Sequence, residues 1–186
     1  KSESNRALII NALSGGKSTL SNISNARDTQ TMLRLLASKE ETLDVLDAGT
    51  TMRFLTAYTI LGDKTRILTG TPRMQQRPIK VLSKALRQIG AKVKYLKHDG
   101  YPPHSVSPLR KQKQQLISIK GDVSSQYISA LLMIAPSLPD GLVLDLIGKI
   151  GSRPYIQMTL DMMTLFGVES IWTNKTIEIK PQRYRP

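Results

Sequence analysis

Cysteine is absent from all 186 residues, which excludes disulfides, thiolate zinc sites and a cysteine nucleophile. Histidine is nearly as scarce. With only His98 and His104 present, a metal site would need carboxylates, and none are spaced as ligands. The expectation is therefore no metal. Aromatic residues make up 5% and are not interleaved with Lys and Arg as a base-stacking platform requires, so no nucleic-acid partner is expected. No apolar run approaches the roughly 18 residues of a membrane span. No signal-like start is present either, and the expectation is a soluble, cytoplasmic protein with no membrane partner.

What the chain has in excess is positive charge. Its 27 Lys and Arg against 14 Asp and Glu leave a formal charge of +13, which calls for anionic partners without choosing among them. At 40% hydrophobic and 22% charged, the composition is that of a globular chain able to bury a core, and the length suits one domain.

An internal repeat organises the sequence. Arg77 to Leu96 (RPIKVLSKALRQIGAKVKYL) aligns without a gap to Arg153 to Trp172 (RPYIQMTLDMMTLFGVESIW). Each opens Arg-Pro, carries apolar residues at helical spacing, and reaches Gly90 or Gly167 before a short apolar alternation. Upstream, Thr50 to Leu61 and Ser125 to Leu138 read as helices, each followed by a turn and then a strand, Thr65 to Thr69 and Leu142 to Ile147. At the front, Ser4 to Leu13 reads as a helix, Ser18 to Ile23 as a strand and Thr29 to Leu36 as a second helix, with Glu41 to Leu46 closing that unit. The pattern predicts an α/β chain of three units, the first shortened. Lys92 to Leu96 and Leu116 to Ile119 are expected to end the second unit, and Glu169 to Trp172 with Thr176 to Ile179 the third. Lys97 to Gln115 reads as a long loop and Pro181 to Pro186 as the start of a linker.

GGKST at Gly15 to Thr19 imitates a phosphate loop. It lacks the earlier glycine, where Asn11 stands, and the order of strand and helix around it is reversed, so a solvated turn is expected. Four other places carry chemistry at helix starts: Lys1 to Arg6, Asp47 to Arg53, Pro72 to Pro78, and Val123 to Tyr127 with its counterpart Ser152 to Tyr155. Singly, these hydroxyls and cations are ordinary caps and surface groups. In a pseudo-symmetric set of units, however, equivalent helix starts gather at one end. There they would converge on one polyanionic ligand.

KSESNRAL, LDAGTTMRFLTA, LTGTPRMQQRPI, GDVSSQYISALLMIAPSL and GSRPYIQMTLDMMTLFGV together closely resemble the EPSP synthase family, the 3-phosphoshikimate 1-carboxyvinyltransferases. The resemblance covers nearly the whole chain but only one of that family's two lobes. It implies a lobe of three βαβαββ-like units around helices, spanning 1–186, with 181–186 leading to a second lobe. It also implies transfer of the enolpyruvyl group from phosphoenolpyruvate to shikimate-3-phosphate in aromatic amino-acid biosynthesis, with no cofactor.

Carried over position by position, the resemblance makes Lys1 a catalytic residue in contact with both substrates. Shikimate-3-phosphate falls to Lys1, Ser2, Arg6, Ser124, Ser125, Gln126, Ser152 and Tyr155. Phosphoenolpyruvate falls to Lys1, Gly49, Arg77 and Gln126. The family's acidic pair belongs to the second lobe, so this chain alone is expected to bind without turning over. Two alternatives remain at this stage. One is the sibling lobe acting on a UDP-amino sugar, which usually presents a cysteine. The other is a basic nucleic-acid module using Arg110, Lys111 and Lys113.

Overall fold

The computed structural model describes residues 1–16 and 18–186. In chain order the elements are α1 (Ser2–Leu13), α2 (Arg27–Leu36), β1 (Thr42–Asp44), α3 (Gly49–Thr59), β2 (Arg66–Thr69), α4 (Lys80–Ile89), β3 (Val93–Tyr95) and β4 (His104–Val106), then β5 (Leu116–Lys120), α5 (Ser125–Ile134), β6 (Leu142–Ile147), α6 (Arg153–Leu165), β7 (Ile171–Thr173) and β8 (Thr176–Ile179).

Two four-stranded sheets share one plan. Their orders are β1-β2-β4-β3 and β5-β6-β8-β7. In each, the first pair is parallel and the other two are antiparallel. The parallel pairs are bridged by α3 and α5, so β1-α3-β2-α4-β3-β4 and β5-α5-β6-α6-β7-β8 are two complete βαβαββ units. Helices α1 and α2 stand for the shortened first unit.

This arrangement moves the unit boundaries by one strand. The Glu41–Leu46 segment opens the second unit, because its strand β1 pairs with β2. Leu116–Ile119 does not pair with Lys92–Leu96; it lies in β5, which pairs in parallel with β6 and opens the third unit. The partner of β3 is β4, inside the stretch expected to be a loop. Pro102, Pro103 and Pro108 flank β4 closely enough to hide its buried, half-buried, buried alternation.

The expected strand at Ser18–Ile23 does not form. Side chains satisfy the backbone there instead: Ser18 N–H donates to Asn11 Oδ1 at 3.1 Å and Ser24 N–H to Ser4 Oγ at 3.0 Å, while Asn22 takes a left-handed φ of 57°. The GGKST turn includes Lys17, which lies outside the described residues. The ungapped alignment also slips. Helix α6 begins at Arg153 itself, but α4 begins three residues after Arg77.

Helix α5 forms the middle of the core. Every residue from Tyr127 to Ile134 is buried, as a stretch reading YISALLMI demands. Each Leu or Ile buried there contributes about 1.5–3 kcal/mol. Helices α3, α6 and α1 pack against α5, and α1 also touches α3 and α6. The tail is docked as well: Tyr184 O–H donates to Met133 O at 2.6 Å, and Arg185 N–H to Phe166 O at 2.7 Å. Among the described residues, no helix is long and apolar enough to cross a membrane.

Candidate functional site

Packing of α1, α3, α5 and α6 brings side chains from the first turns of all four to one cavity of about 320 Å³. Its walls are Lys1, Ser2, Asn5, Arg6, Thr50, Ser124, Ser125, Gln126 and Tyr155. Seven of the positions singled out in the sequence therefore meet: Lys1, Ser2, Arg6, Ser124, Ser125, Gln126 and Tyr155. Ser152 caps α6 nearby but does not line the cavity, and its side chain makes no capping bond. Asn5 and Thr50 line it without having been singled out. Both sit inside the motifs, and Thr50, directly after Gly49 at the start of α3, was the more legible of the two.

Arg6 dominates the electrostatics. It is only 2% exposed, yet no carboxylate pairs with it; the ion pairs among the described residues are Lys1–Asp28 at 3.3 Å and Lys80–Asp99 at 3.6 Å. Its Nε donates to Thr159 Oγ1 at 2.7 Å, Nη2 to Ser129 Oγ at 3.0 Å and Nη1 to Ser2 O at 3.2 Å. The Phe54 and Tyr155 rings flank it at 5.4 and 5.9 Å. Burial pushes the guanidinium down to about 10, with the Tyr155 phenol opposing. It therefore stays charged at neutral pH, held by neutral acceptors and rings alone. A buried cation without a countercharge is costly, and an incoming anion supplies the missing partner.

At the start of α5, Ser124 accepts a hydrogen bond from Gln126 N–H at 3.3 Å, and Ser125 follows as the first helical residue. Two hydroxyls therefore stand at the cavity, with the Ser125 backbone N–H, which has no acceptor among the described residues, beside them at the helix start, where phosphate groups bind. Gln126 itself is held on both sides, donating to Thr50 Oγ1 at 2.7 Å and accepting from Arg53 Nη1 at 2.6 Å.

Gly49 and Arg77 do not enter this cavity. Arg77 lines a second one of about 500 Å³ with Asp47, Arg73 and Met74. Gly49 lies between the two, next to Thr50 on one side and against the Arg77 guanidinium on the other. The group expected to hold phosphoenolpyruvate is therefore divided, with Lys1 and Gln126 in the first cavity and Arg77 in the second. A larger cavity of about 810 Å³, between the end of α1 and the tail, is lined by one cation, Arg183, among four prolines, and by none of the residues assigned to a substrate. Among the described residues no three His, Cys, Asp or Glu side chains gather as metal ligands.

A family model of EPSP synthase (3-phosphoshikimate 1-carboxyvinyltransferase) matches residues 34–186. The chain belongs to the EPSP synthase family. A 3-phosphoshikimate 1-carboxyvinyltransferase from Bacteroides fragilis (strain YCH46) is 51% identical over 185 residues, covering 99% of this chain and 45% of that protein. One from Shewanella pealeana is 40% identical over 195 residues, covering 91% of this chain and 46% of that protein. The chain thus spans under half the length of these EPSP synthase relatives. An EPSP synthase structure from Acinetobacter baumannii superposes with a TM-score of 0.86 over the whole chain and 46% of its own; at 17% identity that likeness speaks for the fold.

Proposed function

We propose that residues 1–186 form the shikimate-3-phosphate-binding lobe of an enolpyruvyl transferase, with 181–186 leading toward a second lobe of the same enzyme. The observation that carries this reading is Arg6, a buried cation with no carboxylate partner among the described residues, in a cavity also lined by the hydroxyl-rich start of α5. Shikimate-3-phosphate has a matching pair of anionic ends. Its phosphate would take the Ser124 and Ser125 hydroxyls and the Ser125 N–H at the start of α5, with Ser152 at the neighbouring helix start. Its carboxylate would pair with Arg6, and its ring would lie beside Tyr155.

The reaction is addition followed by elimination at the phosphoenolpyruvate enol carbon, so it needs cations on two phosphates and proton transfer at carbon and oxygen. Lys1, held by Asp28, would contact both substrates and take part in proton transfer. Gln126 would lie between the two substrates, and Arg77, on the far side of Gly49, would meet the anionic groups of phosphoenolpyruvate. No resident cofactor enters this chemistry. The reaction belongs to aromatic amino-acid biosynthesis, in the cytoplasm.

Calorimetry of the chain with shikimate-3-phosphate and with shikimate tests the reading. The phosphate ester should bind more tightly, and Ser124→Ala with Ser125→Ala should weaken it more than it weakens shikimate. Equal losses for the two ligands would remove the phosphate assignment, and absence of binding would remove the function.

A further inference from the structure

Arg53 belongs to one of the motifs, yet the binding reading gives it no task. It has no carboxylate partner among the described residues, and its Nε is buried without a hydrogen bond. The guanidinium lies 5.0 Å from the centroid of the Tyr127 ring. Among the described residues, its one side-chain hydrogen bond runs from Nη1 to Gln126 Oε1 at 2.6 Å, across 73 residues of sequence.

That bond settles more than a distance. A guanidinium has donors and no acceptor, so the end of the Gln126 amide that faces it must be the oxygen. Nε2 is then turned to the other side, where it donates to Thr50 Oγ1 at 2.7 Å. With its oxygen accepting, Thr50 keeps its own proton free. No hydrogen bond from the Thr50 hydroxyl to a protein acceptor is found among the described residues. Thr50 and Gln126 both line the cavity beside Arg6.

We infer that Arg53 is a positioning residue that fixes the direction of a donor relay, Arg53 to Gln126 to Thr50, and so makes the Thr50 hydroxyl a ligand-binding donor of the cavity. The relay begins at a cation, so each link polarises the next. Run the other way, it would present the Gln126 carbonyl and the Thr50 lone pairs to an anion and repel it. Arg53 thus shapes the cavity for anionic, acceptor-rich ligands without touching them. This inference rests on the shikimate-3-phosphate reading for its probe, but its geometry stands apart from that reading.

A double-mutant cycle tests it. Thr50→Val and Arg53→Met should each weaken shikimate-3-phosphate binding about tenfold, the worth of one charge-assisted hydrogen bond. The double variant should be within about twofold of the weaker single, because both changes break the same relay. Thr50→Ser should bind like the parent and Arg53→Lys should recover part of the loss. Losses that add, or an Arg53→Met protein that binds normally, would overturn the relay. A readout without ligand guards against a parent chain that does not bind, which would count against the proposed function alone. The Gln126 side-chain amide resonances should move in Arg53→Met and in Thr50→Val; if they stay in place, the relay is wrong.

Discussion

The guanidinium of Arg77 lies directly against the backbone of Gly49: a β-carbon built on Gly49 would stand 2.5 Å from Nη1 and 2.9 Å from Cζ. The glycine is required by that approach and not by its dihedral angles, since it is not among the glycines with positive φ. Gly49 thus links the two cavities in sequence and in contact: Thr50, the next residue, lines the first, and Arg77 lines the second.

Gly49→Ala should therefore displace Arg77 without unfolding the chain. The crowded atoms belong to the far end of a flexible side chain, and alanine at the first residue of α3 favours the helix. The expected result is a Tm within ~4 °C of the parent, a change of about 1 kcal/mol or less, together with weakened binding of phosphoenolpyruvate. Calorimetry and thermal melts check both halves. An unchanged phosphoenolpyruvate affinity would dissociate Gly49 and Arg77 from that ligand.

Arg6→Met separates stability from binding. The variant removes a buried charge that no carboxylate balances, and its two hydroxyl partners, Ser129 Oγ and Thr159 Oγ1, remain 2.8 Å apart and satisfy each other. Stability should be retained or raised, since apolar replacement of a buried ion is often neutral or favourable. Shikimate-3-phosphate affinity should fall by about a hundredfold or more, the usual cost of removing a charged hydrogen-bonding partner. Denaturant titration alongside calorimetry reads both. A large loss of stability would mean that Arg6 is chiefly structural.

Acid should weaken the fold through His104, which the site does not use. The ring is fully buried on β4. Its Nε2 lies 3.0 Å from Thr56 Oγ1, whose proton goes to Met52 O, and its Nδ1 has no partner. Burial pushes its pKa down from 6.5 to about 4. The folded chain thus binds this proton less readily than the unfolded one. Stability is intact well above pH 6.5 and falls as pH drops through 6.5 toward 4, by about 3 kcal/mol in all. Urea denaturation of the parent and of His104→Gln should show a shallower pH dependence in the variant; parallel curves would assign the acid lability to other groups.

The 186-residue chain alone should release no phosphate from phosphoenolpyruvate and shikimate-3-phosphate. Protonating a methylene carbon requires an acid, a base and cations enclosing the reacting atoms. Here Lys1 is half exposed, with Asp28 as its ion-pair partner. Steady turnover by the purified chain, abolished by Lys1→Ala, would place the acid and base among these residues.

Much of this was written at the helix starts. Lys1 to Arg6, Ser124 to Gln126 and Tyr155 could be assembled from sequence because a repeated unit puts equivalent helix ends on one side. Strand β4 was not legible, because prolines on both flanks imitate a loop. Ser18–Ile23 misled in the opposite sense: it follows a glycine turn as a strand would, but Ser4 and Asn11 offer the backbone closer partners. The placing of Arg77 and Gln126 in different cavities was equally hidden. So was the contact of Arg53 with Gln126, since neither leaves a trace in local spacing.

A structure of the chain soaked with shikimate-3-phosphate tests the central claim most directly. The account predicts one molecule in the cavity between α1, α3, α5 and α6, with its phosphate in hydrogen-bond reach of Ser124 and Ser125 and its carboxylate paired with Arg6. A ligand bound elsewhere, or bound there with its phosphate on Arg6 and its carboxylate at the start of α5, would contradict it.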